Sequence, residues 1–361
     1  MSKTLRRQVG QLLIVGLEGT ELTSIERAWL KLIRPGGVIL FRRNIEEAIQ
    51  TMQLLREVNE IVGEPNFRCI DLEGGLVDRL RDLIAPMPSP ADVFAARKPA
   101  LYKKHGQLIA REARSLGFNT VFAPVLDLAL PESANVMRTR AASADPEEVT
   151  GYAAAFLDGL SKEGILGCGK HFPGLGGGKL DSHHATPVID RSWDEMWAQD
   201  MAPFRALHSR LPFIMVNHAS YPKACGDMLP ASISSFWITK VLREKIGYKG
   251  LVVSDDMEMG GILKQRSMEE AVIEAIAAGT DLIEICKDPS LILRAYEALL
   301  TKAEGSSLFR RKIDQAIRRI EYNRTRFSRA HALRCFSPLL LKELRNRIQH
   351  LAQQTEVRNI N

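Results

Sequence analysis

The segment KHFPGLGGGKLDSHHATP, residues 170 to 187, holds the densest collection of groups able to move protons. Asp181 stands two residues before His183. An aspartate so placed accepts the imidazole Nδ1–H, sets the tautomer and raises basicity, leaving Nε2 for proton transfer. Lys170 and His171 open the same segment. Its glycines suggest a phosphate cradle, yet neither nucleotide-binding pattern fits. No glycine stands five residues before Gly178, Leu180 follows Lys179, and Lys179 takes the third glycine position of the dinucleotide fingerprint. The glycines from Gly174 to Lys179 predict a mobile loop instead, because they permit many backbone conformations.

A second group is VVSDDMEM, where Asp255 ends an apolar run and Asp256 follows. Adjacent carboxylates there could be a nucleophile and its neighbour, metal ligands, or a helix cap with a bystander. The third is CIDLEGGLVDRL, in which Asp71 and Glu73 flank a turn at Gly74 and Gly75. Arg79 is predicted on the helix that follows. Carboxylates and a guanidinium supply the directed acceptors and donors that sugar hydroxyls require.

These residues need a scaffold that brings them together. Eight short apolar runs recur along the chain: QLLIVG, GVILF, FRCID, TVFAPV, GILGCGKH, FIMVNH, GLVVSD and DLIEIC. Their length and β-branched content predict buried parallel strands. Helical patterns lie between them, as over Ser24–Ile33, Leu101–Leu116 and Pro146–Leu160. The last follows Asp145, a good N-cap, with proline at the first helical position. Eight strands alternating with helices predict a (β/α)8 TIM barrel in preference to a doubly wound sheet. Asp71, Glu73, Asp127, Lys170, His171, His218, Asp255 and Asp256 all fall at strand ends, which a barrel gathers at one mouth.

The 361 residues are 45% hydrophobic and 25% charged, the mix of an ordinary globular chain. No apolar run approaches the length of a membrane span. The basic N-terminus lacks the features of a signal peptide. Five cysteines (Cys69, Cys168, Cys225, Cys286 and Cys335) show no CxxC spacing. That predicts a reducing compartment, the cytoplasm, with neither a disulfide framework nor a zinc cluster. Of the net charge of +6, residues 306–361 supply +9, so the remainder carries −3. Ile313, Ile317 and Ile320 in that basic segment keep helical spacing, which predicts a packed helix with a solvated basic face. The expectation is one domain, with a barrel over 1–305 and a helical extension over 306–361 packed on it. No nucleic acid or membrane partner is expected, and the protein should be a monomer or weak dimer.

Taken together, GQLLIVGLEG, PGGVILF, DLEGG, FAPVLDL, KHFPG, DSHH, VNHASYP, SDDMEM and AIAAGTDLI resemble one family. The chain is similar to the single-domain exo-β-N-acetylglucosaminidases of glycoside hydrolase family 3, which recycle peptidoglycan fragments. The resemblance implies a barrel, a retaining mechanism through a covalent glycosyl-enzyme, and an N-acetylglucosaminide substrate, with no cofactor and no metal. It places the nucleophile at Asp255, the acid/base at His183 and its partner at Asp181. Sugar-binding positions fall on Asp71, Arg79, Arg140, Lys170 and His171, and His218 matches a strand-end histidine of the family and is expected with them. The chain departs from the family at Leu72, Leu76 and Leu175, where polar residues are usual, and at Ala141 and Ala142. Leu175 is expected at an exposed loop tip, covering the sugar or the barrel rim. Phosphate in place of water as acceptor is a variant of the same reaction. A barrel metallohydrolase using His171, Asp181, His183, His218 and Asp255 is a rival, but HxH and HExxH spacings are absent and Lys170 would repel a cation. A non-catalytic sugar binder is the other rival; it would have no use for Asp181, His183 and Asp255 together.

Overall fold

The computed structural model describes residues 3–63, 65–178, 186–326 and 338–356. Ten strands run in chain order: β1 (Leu13–Gly16), β2 (Gly37–Leu40), β3 (Phe67–Ile70), β4 (Leu72–Gly74), β5 (Val77–Asp78), β6 (Thr120–Val121), β7 (Leu166–Phe172), β8 (Phe213–Val216), β9 (Leu251–Asp256) and β10 (Leu282–Ile285). Eight of them close a parallel barrel in the order β1-β10-β9-β8-β7-β6-β3-β2. Each of the eight predicted runs supplies one of these strands. Such strands are buried on both faces, which is why they read as apolar runs without alternation. The fold is a (β/α)8 barrel.

Helix starts follow local chemistry. Thr23 and Glu26 form a reciprocal capping box before the helix Ser24–Ile33. The Asp145 side chain accepts from the backbone N–H groups of Glu147 and Glu148, opening the helix Pro146–Lys162. Phe67 and Phe213 meet edge to face inside the barrel at 5.1 Å between centroids. The Arg324 guanidinium lies over the Phe67 ring and donates to the Gly36 carbonyl.

The segment after β3 departs from expectation. β4 and β5 pair as an antiparallel hairpin, and the next helix begins only at Pro90. Arg79 therefore follows a strand rather than riding on a helix. Gly74 and Gly75 explain the difference: both hold left-handed φ, at 92° and 60°, which reverses the chain within the turn. The Asp78 carboxylate accepts from the N–H groups of Leu80 and Met87 and fastens the hairpin to the loop behind it.

In the basic C-terminal segment the helix Ser307–Arg326 buries Ile313, Ile317 and Ile320, as their spacing predicts. Two of its arginines turn inward: Arg319 pairs with Asp281, and Arg324 with Gln11 and Gly36. The helix Pro338–Thr355 buries Leu344, Ile348 and Leu351. Its Arg345 Nε donates to the Ile84 carbonyl at 2.7 Å. Among the described residues no helix is long and apolar enough to cross a membrane.

Candidate active site

A cavity of about 160 Å³ lies where the strand C-termini converge. Asp71, Glu73, Arg79, Arg140, Lys170, His171 and Asp255 all line it, together with Asp256, Glu284 and Cys286. Six of the nine expected site residues, the five sugar-binding positions and Asp255, thus meet at one mouth. His183 and Asp181 lie outside the described residues.

One side of the cavity is a chain of ion pairs. The Lys170 Nζ donates to Asp71 Oδ1 at 2.8 Å and to Glu73 Oε1 at 2.7 Å. Arg140 grips both oxygens of Glu73 at 2.8 Å, the bidentate geometry that suits a guanidinium and a carboxylate. Arg79 Nη2 reaches Asp71 Oδ2 at 3.5 Å. Burial alone would push Asp71 and Glu73 upward, but Lys170 with Arg79, and Arg140 with Lys170, outweigh it and hold both carboxyls below their ordinary range. The Lys170 ammonium is likewise disfavoured by burial, yet its two carboxylate partners leave it raised. An ammonium has three donors, and two are used here. The third, and the remaining lone pairs of Asp71, are what a sugar hydroxyl can meet.

Lys170 and His171 are consecutive on β7, and a regular strand would aim them to opposite faces. The β7–β8 pairing shifts register between Gly169 and Phe172, and both side chains line the cavity. The His171 Nδ1 donates to Asp127 Oδ2 at 2.6 Å. Because the carboxylate can only accept, Nε2 is left as the acceptor facing Arg140 Nη2 at 3.4 Å. Asp127 also accepts the backbone N–H of His171 at 3.1 Å and of Leu175 at 2.7 Å. A single buried carboxylate thus ties β7 to the glycine segment.

The other side has no such pairing. Asp255 is half-buried, and its Oδ1 accepts the N–H of Asp256 at 3.0 Å. Among the described residues no cation pairs with Asp255, Asp256 or Glu284. Burial pushes Asp256 up to about 7, helped by the neighbouring carboxylates Glu258 and Asp255. Burial and the nearby Asp71 and Asp256 raise Glu284 well above the ordinary range.

His218 and Leu175 both lie deeper than the exposed mouth positions, and for Leu175 this corrects the expectation. His218 is fully buried and does not line the cavity. Its Nε2 donates to the Asp256 carbonyl at 3.0 Å, while Nδ1 accepts from the Ser232 hydroxyl at 2.7 Å. Both nitrogens are hydrogen-bonded, and through the Asp256 carbonyl His218 braces the end of β9. Leu175 is no exposed tip: it is 8% exposed and lines the cavity. The surrounding glycines answer to close packing. A Cβ on Gly174 would stand 2.7 Å from the Asp200 Cβ, and one on Gly177 would stand 2.8 Å from the Arg191 Cδ. The other departures have separate settings: Leu72, Ala141 and Ala142 are buried in the core, and Leu76 is exposed at the hairpin turn.

Comparison with known proteins agrees with this geometry. The family model for the glycosyl hydrolase family 3 N terminal domain matches residues 4–322. A beta-hexosaminidase of Idiomarina loihiensis is 34% identical over 299 residues, spanning 82% of this chain and 89% of its own. That of Tolumonas auensis is 37% identical over 280 residues, 76% of this chain and 83% of its own. Among solved structures, the family 3 β-N-acetylglucosaminidase of a Paenibacillus superposes with a TM-score of 0.91 at 31% identity, over 98% of this chain and 69% of that one. The β-N-acetylhexosaminidase of Beutenbergia cavernae gives 0.82 at 28% identity, over 90% of this chain and 99% of that one. With a match across nearly the whole barrel, the chain belongs to glycosyl hydrolase family 3 and is a glycoside hydrolase.

Proposed function

We propose that the protein is a retaining exo-β-N-acetylhexosaminidase that removes terminal β-linked N-acetylglucosamine from peptidoglycan-type fragments. The observation that carries this reading is Asp255: a half-buried carboxylate without a counter-ion among the described residues, at the cavity and opposite a wall of paired charges. A retaining enzyme sets its nucleophile and acid/base about 5–5.5 Å apart across the scissile bond. In this reading Asp255 attacks the anomeric carbon while His183 protonates the leaving oxygen. The covalent glycosyl-enzyme is then opened by water, whose proton returns to His183. Asp181 holds the His183 tautomer throughout.

Asp71, Arg79, Arg140, Lys170 and His171 orient the sugar. Their mutual bonds fix the side chains in one arrangement, which favours binding with little reorganisation. Hydroxyl groups meet a free Lys170 donor and Asp71 lone pairs, a match in kind to a polyol. The relatives' names, beta-hexosaminidase and β-N-acetylglucosaminidase, support an N-acetylhexosamine as the sugar.

The test is hydrolysis of a chromogenic aryl β-N-acetylglucosaminide followed by proton NMR from the first turnovers. Retention requires that the β anomer of N-acetylglucosamine appear first and mutarotate later. First release of the α anomer, or no hydrolysis, would overturn the reading.

A further inference from the structure

Glu284 interrupts the apolar strand β10 and lies in register with Asp256 of β9. It is 3% exposed and lines the cavity. The charged and titratable groups around it are Cys69 and Asp71 from the β3 side, Cys168 and Lys170 from β7, Asp255 and Asp256 from β9, and Cys286 beyond its own strand. Of the cations nearby, Lys170 is engaged by Asp71 and Glu73, Arg140 by Glu73 and Arg79 by Asp71, and Arg43, beside Cys286, donates to the Leu17 and Cys286 carbonyls. Burial among anions without a cation paired to it favours the uncharged acid. The Cys286 thiol donates to Glu284 Oε1 at 3.0 Å, which leaves the acid's own O–H on Oε2. That atom is buried and has no hydrogen-bond partner among the described residues. A buried donor without an acceptor is unfavourable and calls for an explanation.

We propose that Glu284 is a further substrate-binding residue, which donates an O–H from Oε2 to a hydroxyl oxygen of the terminal sugar. The proposal rests on the reading of this cavity as the N-acetylglucosaminide site. The two walls then divide the sugar between them. The paired wall offers a charged donor and carboxylate acceptors, and β10 adds a neutral donor from the floor.

The experiment compares wild type, Glu284→Leu and Glu284→Gln on an aryl β-N-acetylglucosaminide and on analogues that each lack one ring hydroxyl. On the parent glycoside, Glu284→Leu should lose about 10-fold or more in kcat/KM. Glu284→Gln, whose amide still donates, should stay within a few-fold of wild type. On one deoxy analogue the Leu variant and wild type should become equal, because the partner oxygen is already gone. Glu284→Ala serves the same comparison if the Leu variant does not fold. An unchanged Leu variant on the parent, or equal penalties on every analogue, would overturn this proposal alone. A wild-type protein inactive on the parent glycoside would overturn the substrate reading and this proposal with it.

Discussion

On the β3–β7 side of the cavity Asp71, Glu73, Arg79, Arg140 and Lys170 each have a partner of opposite charge. On the β9–β10 side Asp255, Asp256 and Glu284 have none among the described residues. Both sides are rich in carboxylates, yet Asp71 and Glu73 are driven one way and Asp256 and Glu284 the other. Pairing holds Asp71 and Glu73 low, so they act as fixed acceptors. Burial without pairing raises Asp256 and Glu284. A carboxylate locked in ion pairs is a poor nucleophile, because attack would break those bonds. The unpaired wall is where a reacting carboxylate belongs, and the paired wall is where a substrate can be held without rearrangement.

The largest effect should follow loss of the unpaired nucleophile. Asp255→Ala should lower kcat by a factor on the order of 10⁴ or more, with the thermal transition preserved. Replacement of His183 by alanine should remove about 10²–10⁴-fold on natural linkages and far less on an activated aryl glycoside, whose leaving group needs little protonation. Equal losses on both would mark His183 as structural. Asp181→Asn should be a milder version of the same defect.

Breaking the paired wall should act on binding. Glu73→Gln strands Arg140 and half of Lys170's bonding in a buried site. Isolated buried charges cost roughly 3–5 kcal/mol, so about 10²-fold or more in kcat/KM is expected, along with lower stability. A Glu73→Gln enzyme with unchanged kcat/KM would show that the pairs are not needed to hold substrate.

Asp256 sharpens the contrast through pH. Its folded value of about 7 lies above its ordinary 3.8. Between those values the unfolded chain ionises Asp256 while the folded chain keeps the proton, so this residue makes stability fall as pH rises. Above about pH 7 the full penalty applies. Asp256→Asn should therefore flatten the decline of Tm between about pH 4 and pH 7. Parallel curves for the variant and wild type would refute the assignment. The smallest change concerns Leu175, where Leu175→Asp should lower both activity and stability. A charge placed at an 8% exposed position is costly, by about 1–3 kcal/mol. Unaltered Tm would show the position to be more open than the structure has it.

Much of this was legible because the barrel converts chain position into place. A polar residue that ends an apolar strand arrives at the mouth, which is how Asp71, Lys170 and Asp255 could be grouped from sequence. What stayed hidden has physical causes. His218 also ends a strand, and the same rule does not show that its ring is bonded to Ser232 and to the Asp256 carbonyl. The glycines at 174 to 178 suggested freedom, and a missing Cβ also serves where backbone packs against Asp200 and Arg191, a second use that composition does not show. Gly74 and Gly75 were read as a turn into a helix because β4 and β5 are too short to show alternation. Asp127 was visible as a strand-end carboxylate, but its bonds to both His171 and Leu175 are tertiary. Glu284 did leave a signal: one acid in the middle of an apolar strand, at the period that points inward with Cys286. That residue type at that place was not given a role.

The central claim is that the reacting group belongs to the unpaired wall and is Asp255. Incubation with a 5-fluoro N-acetylglucosamine-type inactivator, followed by peptide mapping in a mass spectrometer, tests it directly. The account predicts one stoichiometric glycosyl adduct on Asp255, absent from Asp255→Ala. An adduct on Asp256, or on Asp71 or Glu73 of the paired wall, would contradict it.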